Sequence, residues 1–138
     1  MRYLCIDLGD RRTGLASGDA IVRLVQPMQV IAQPRGPALM DALARAVDEY
    51  GPTALVVGLP INMDGTEGAA AREVRAFAAA LGERTRLPVH LQDERLSSFE
   101  ADSRMARSGR THREKRELRD ALAACAILED FLREHHAG

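Results

Sequence analysis

Apolar positions follow two rhythms along this chain. Residues 2–8, RYLCIDL, are apolar on both alternating faces after the opening Arg2 and up to a carboxylate at Asp7, which suits a central strand covered by helices on each side. A short charged turn carrying Gly9, Arg11 and Arg12 follows. Thr13 to Ser17 then predicts a second strand, antiparallel to the first because so few residues join them. A third strand is predicted at Gln29 to Ala32, fenced by Pro27 and Pro34. Helical spacing takes over at Leu39, Met40, Leu43, Val47 and Tyr50, a helix opened by Gly36 and Pro37 and closed by Gly51 and Pro52. Ala54 to Leu59 is a compact apolar strand that runs into a turn-rich loop. Asp64 and Glu67 are spaced like a capping box and predict an alanine-rich helix from Glu67 to Leu81. Pro88 to Gln92 is a short strand with Asp93, Glu94 and Arg95 at its end. Ser97 with Glu100, and Thr111 with Glu114, repeat the capping pattern. They predict one helix just beyond Ser97, broken at Ser108 and Gly109, and a last helix from Thr111 to Glu134.

Three strands in antiparallel sequence followed by alternating helices and strands predict an α/β fold, a mixed five-stranded sheet flanked by helices. The 138 residues leave room for one domain. A net charge of −1 gives no global attraction to nucleic acid, so any such role must come from uneven placement of charge. No apolar run is long enough to cross a bilayer and the N-terminus lacks the order of a signal peptide, which predicts a cytoplasmic protein. Cys5 and Cys125 each fall in apolar elements and read as reduced core residues.

Candidate chemistry lies in the acids. Asp7 and the pair Asp93, Glu94 end predicted strands, where open α/β sheets place their ligands. In the last helix Leu118, Ala121, Leu122, Cys125, Leu128 and Leu132 form one stripe, and Ala123, Ala124, Ile127 and Phe131 extend it around a second side that also carries Asp120. Such a helix should press against the sheet, and a carboxylate there needs compensation, by a cation or by Arg116 or Arg119 on the helix surface. Ala123 and Ala124 are expected to let the helix backbone approach the strand ends. Three gathered carboxylates make a hard oxygen site suited to Mg²⁺ or Mn²⁺, and His90, His112, His135 and His136 have no zinc-like spacing. Two such ions can activate a water and steady the leaving oxygen of a phosphodiester.

Arginines indicate the substrate class. Arg104, Arg107, Arg110, Arg113, Lys115, Arg116 and Arg119 run directly into Asp120, with only Glu114 and Glu117 against them. With Arg11 and Arg12 beside Asp7 they would rim an acidic centre with positive charge, as phosphate-backbone binding needs. The loop from Gly58 to Thr66, with Asn62 and Thr66 as candidate contacts, leaves a strand for a helix N-terminus, a favourable place for a phosphate, with Gly58 and Gly65 permitting close approach. It lacks the lysine and spacing of a P-loop. Without tryptophan, and with five Phe and Tyr in all, the chain is better suited to reading backbone and shape than to stacking bases.

Together these residues resemble the YqgF/RuvX family of bacteria, known for Holliday junction resolvases and pre-16S rRNA nucleases. The match runs through Asp7, Gly9, Arg11, Arg12, Gly14, Ala16 and Asp19, then Gly58 to Gly68, DERLSS at Asp93 to Ser98, and Asp120, Ala123 and Ala124. Gly18 departs from it, standing where the family often has serine. The resemblance implies a ribonuclease H-like fold, with Asp7, Glu94 and Asp120 as the catalytic, metal-binding triad. Alternation alone left Asp93 and Glu94 undistinguished. It also implies a metal-dependent endonuclease trimming the 5′ end of 16S rRNA precursor, with four-way DNA junctions as the second substrate. Arg11, Arg12, Asn62, Thr66, Arg95, Arg107, Arg110, Arg113, Lys115 and Arg116 are the expected nucleic-acid contacts, on a monomer or homodimer. Two other readings compete: a non-catalytic RNA-binding module on the same fold, and a sugar kinase or actin-like ATPase. The ATPase reading meets Asp10 where its phosphate loop needs a hydroxyl residue, and the chain has no second lobe.

Overall fold

The computed structural model describes residues 1–22, 24–94 and 112–135, the side chains of 112–117 excepted. Five strands, β1 (Arg2–Leu8), β2 (Thr13–Asp19), β3 (Val25–Ile31), β4 (Ala54–Leu59) and β5 (Val89–Asp93), form one sheet in the order β3-β2-β1-β4-β5. The β1–β2 and β2–β3 pairs are antiparallel, and β1–β4 and β4–β5 are parallel. This is the mixed five-stranded sheet that the alternation predicted.

Strand parity sorts the core into two layers. Leu4, Ile6 and Leu8 of β1, with Leu55, Val57 and Leu59 of β4, face the helices α1 (Pro37–Tyr50) and α2 (Ala69–Thr85), where they meet Leu39, Leu43, Val74 and Leu81. Cys5, Ala16 and Val56 face the opposite way, against Ala124, Ile127, Leu128 and Phe131 of α3 (His112–Glu134). Both cysteines are free and buried in this second layer. The wide apolar surface of α3 is thereby accounted for, since all of residues 123–128 are buried.

Three boundaries differ from the sequence expectation. β3 runs through Pro27, which was expected to fence it, because β3 is an edge strand with a register shift opposite Leu15 and Ala16, where a missing N–H is tolerated. Asp64 and Glu67 do not cap α2. Gly68 precedes that helix without a side-chain cap, Asp64 accepts hydrogen bonds from the Thr66 amide and hydroxyl, and Glu67 pairs with Arg75. At its other end α2 passes the expected stop at Leu81 and closes on Arg86 in a left-handed conformation. The expected helix beyond Ser97, and its capping pair, lie outside the described residues, as does Thr111.

Candidate metal centre and nucleic-acid interface

Asp7 shares its face of β1 with Cys5, so its carboxyl group lies under α3. On the neighbouring β2 the residue opposite is Gly14. On β2 every second residue facing α3 is small, Gly14, Ala16 and Gly18. A methyl group placed on Gly14 would lie 2.0 Å from the carbonyl oxygen of Asp120 and 2.5 Å from its carbon. The helix backbone therefore rests on the strand backbone at this one point. Ala123 and Ala124 are buried as expected, but the contact that seats Asp120 next to Asp7 is made at Gly14. That signal was present in the sequence as a period-two run of small residues.

Glu94 completes the cluster from the other side. Val89 and Leu91 of β5 pack on the α1/α2 layer, whereas His90 contacts Phe131 and Gln92 hydrogen-bonds Glu134 of α3. Glu94 continues the parity of His90 and Gln92 and meets Asp7, with Asp93 acting on it from the neighbouring position. Gly58 makes this possible, since a methyl group there would lie 2.5 Å from Glu94 Oε2 and 2.7 Å from Ile127 Cδ1. The room at Gly58, expected to admit a phosphate, is filled by a carboxyl group and a helix side chain.

The electrostatics follow from this crowding. Burial pushes Glu94 up to about 9, reinforced by the negative charge of Asp7, by the hydrogen bond between the two carboxyl groups and by Asp93. Asp7 is raised by burial, opposed by the hydrogen bond from Glu94, with the Asp120 charge acting upward. The Glu94 carboxyl group is thus the donor of the hydrogen bond that the Asp7 carboxylate accepts. Asp120 is turned to the β1–β2 turn, where its Oδ2 accepts from Arg12 Nε at 2.6 Å. Of the two helix arginines expected to compensate it, the Arg116 side chain lies outside the described residues. Among the described residues, no group of three His, Cys, Asp or Glu is already arranged to hold a metal ion. Positive charge is nevertheless what the cluster recruits, one proton between Asp7 and Glu94 and one guanidinium on Asp120. An all-oxygen donor set whose charge is offset in this way fits a hard divalent cation.

Of the expected nucleic-acid contacts, Arg12 reaches this cluster through Asp120. Arg11 is exposed on the turn, whose geometry is fixed by a Gly9 amide bond to the Arg12 carbonyl at 3.0 Å. Asn62 and Thr66 are exposed and tied together, Asn62 Nδ2 donating to Thr66 Oγ1 at 3.1 Å and the Asn62 amide to the Thr66 carbonyl at 2.9 Å. Arg113, Lys115 and Arg116 lie in the first turns of α3. Arg95, Arg104, Arg107 and Arg110 fall outside the described residues. Sequence reasoning missed Arg35, which ties Asp10 of the turn (2.9 Å) to Glu73 of α2 (3.3 Å) and so braces the turn that bears Arg12.

Comparison with known proteins matches residues 1–134 to the family described as RuvX, Holliday junction resolvase. A relative from Anaeromyxobacter sp. (strain Fw109-5), named "Putative pre-16S rRNA nuclease", is 47% identical over 99% of this chain and 100% of its own. Among solved structures, Thermus thermophilus RuvC in complex with a Holliday junction substrate aligns with a TM-score of 0.60 at 13% identity, over 99% of this chain and 98% of that one. The Fowlpox virus resolvase with Holliday junction DNA aligns at 0.62 and 10%, over 97% and 98%. At these identities the two structures speak for the fold, a ribonuclease H-like one as the family resemblance implied.

Proposed function

The chain belongs to the RuvX Holliday junction resolvase family, and from that premise we propose that it is a metal-dependent endonuclease hydrolysing phosphodiester bonds in structured nucleic acid. The observation that carries the proposal is the convergence of Asp7, Glu94 and Asp120, from the first strand, the end of the last strand and the last helix, on the two glycines that make room for them. Asp7, which meets Glu94 and senses the Asp120 charge, would hold the metal together with Glu94 and Asp120 through their carboxylate oxygens. When bound, Mg²⁺ or Mn²⁺ would polarise the scissile phosphate and lower the pKa of an attacking water. The chain's own part is to hold these oxygens on rigid strands and a seated helix, with no protein nucleophile. Arg11, Arg12, Arg95, Arg107, Arg110, Arg113, Lys115 and Arg116 would bind backbone phosphates around the acids, with Asn62 and Thr66 contacting from the β4–α2 loop.

The substrate we favour is 16S rRNA precursor, the molecule in the name of the Anaeromyxobacter relative, cut at its 5′ end. The site of action on this reading is the bacterial cytoplasm. No helix among the described residues is long and apolar enough to cross a membrane. A four-way DNA junction is the second reading, favoured by the family's description. The test is to incubate purified protein and Asp7→Asn with a 16S precursor fragment and a synthetic four-way junction, each with Mg²⁺ and with Mn²⁺. The wild type is expected to cut the precursor and Asp7→Asn to bind it without cutting. Undiminished cleavage by the variant would overturn the metal assignment, and cutting of the junction alone would move the substrate to DNA.

A further inference from the structure

The Arg12–Asp120 pair joins a residue expected to grip phosphate to one expected to hold metal, across 108 positions of sequence. Arg12 reaches Asp120 through Nε alone, at 2.6 Å. The two side chains remain 34% and 22% exposed, so water reaches the pair and opening it costs little. A guanidinium and a divalent cation cannot both hold the same carboxylate oxygen without repelling one another. A phosphodiester, for its part, is an anion whose geometry the planar fork of arginine matches well.

We propose that Arg12 is a substrate-released latch on the metal site: in the free protein it holds Asp120 away from the cation, and a backbone phosphate draws it off. The inference rests on the metal-nuclease reading above and adds a regulation to it. Because the latch is shared, metal and nucleic acid bind with positive cooperativity, each strengthening the other by the same factor. The free protein is correspondingly under-loaded with metal, and loading is completed on the substrate. Arg12 acts here through Asp120 and is a positioning residue.

The test measures Mn²⁺ affinity, by calorimetry on the full chain without substrate. Arg12→Gln is expected to bind Mn²⁺ roughly fivefold more tightly than wild type, the size of effect seen for a partly exposed ion pair, and Arg12→Lys to stay near the wild-type value. The gain is expected to vanish when Arg12→Gln is combined with Asp120→Asn. In wild type, a phosphorothioate-backbone RNA duplex at concentrations that saturate the protein by fluorescence anisotropy should reproduce the gain, and in Arg12→Gln it should add nothing. Equal affinities for wild type and Arg12→Gln, or a gain that survives Asp120→Asn, would overturn the latch and leave the metal site standing. Mn²⁺ binding unaffected by Asp7→Asn would overturn both.

Discussion

Replacing Gly14 by alanine tests the seat on which the candidate site depends. The added methyl carbon would sit 2.0 Å from the Asp120 carbonyl oxygen, whereas ordinary contact begins at 3.4 Å, so α3 must move by about 1.4 Å. Neither side can give by rotating a side chain, because the obstacle is helix backbone and the methyl is fixed to strand backbone. Overpacking of this kind costs about 3 kcal/mol, the upper end of the usual range. Asp7 lies directly across from Gly14, so lifting the helix also draws Asp120 away from Asp7. A misplacement near 1 Å lowers catalysis by roughly 100-fold. Urea unfolding of the full chain gives the first quantity, and cleavage of a 16S precursor fragment at saturating Mn²⁺ gives the second. A Gly14→Ala protein within about 0.5 kcal/mol of wild-type stability, the range of neutral surface changes, and cutting at the wild-type rate would refute the close-seat reasoning.

The remaining expectations are smaller in scale. Gly58→Ala should cost only about 1 kcal/mol in urea, because its methyl meets the ends of Glu94 and Ile127, which can swing aside. Cleavage should fall more than stability does, and a stability loss as large as that of Gly14→Ala would contradict this. Gly18→Ser places an atom 2.8 Å from Leu128 Cδ2 and should lower stability by about 1 kcal/mol without changing the metal dependence of cleavage. Glu94 holds its proton up to about 9 when folded, against an ordinary glutamate value of 4.5. Its contribution to stability is therefore full below pH 4.5 and is lost as pH rises towards 9. Thermal melts in chelator across that window should slope downward for wild type and flatten for Glu94→Gln, and parallel curves would refute the assignment. Adding Mn²⁺ at 100 times its Kd should raise stability by about 2.7 kcal/mol, an increment that Asp7→Asn should abolish.

Much of this fold could be read from apolar rhythm. The alternation of β1 located a central strand, and the helical spacing of Leu39, Leu43 and Val47 located α1, because burial sets both patterns. Pro27 misled because a missing N–H forbids a central strand and not an edge one, and strand order is a tertiary fact. Asp64 and Glu67 had the spacing of a cap but were used in a turn and an ion pair, since the same short side chains serve both. Within the site, residue types were legible and pairings were not. Nothing local to Arg12 says that its partner is on the last helix, or that the space at Gly58 belongs to Glu94.

The seat at Gly14 also orders events during synthesis. Asp7 and its strand partners leave the ribosome early, whereas the acid that rests on Gly14 belongs to the last helix. A nascent chain can pair its first strands long before it holds its third carboxylate. On the nuclease reading with Asp120 as a metal ligand, cleavage becomes available only when the C-terminal helix has docked on Gly14.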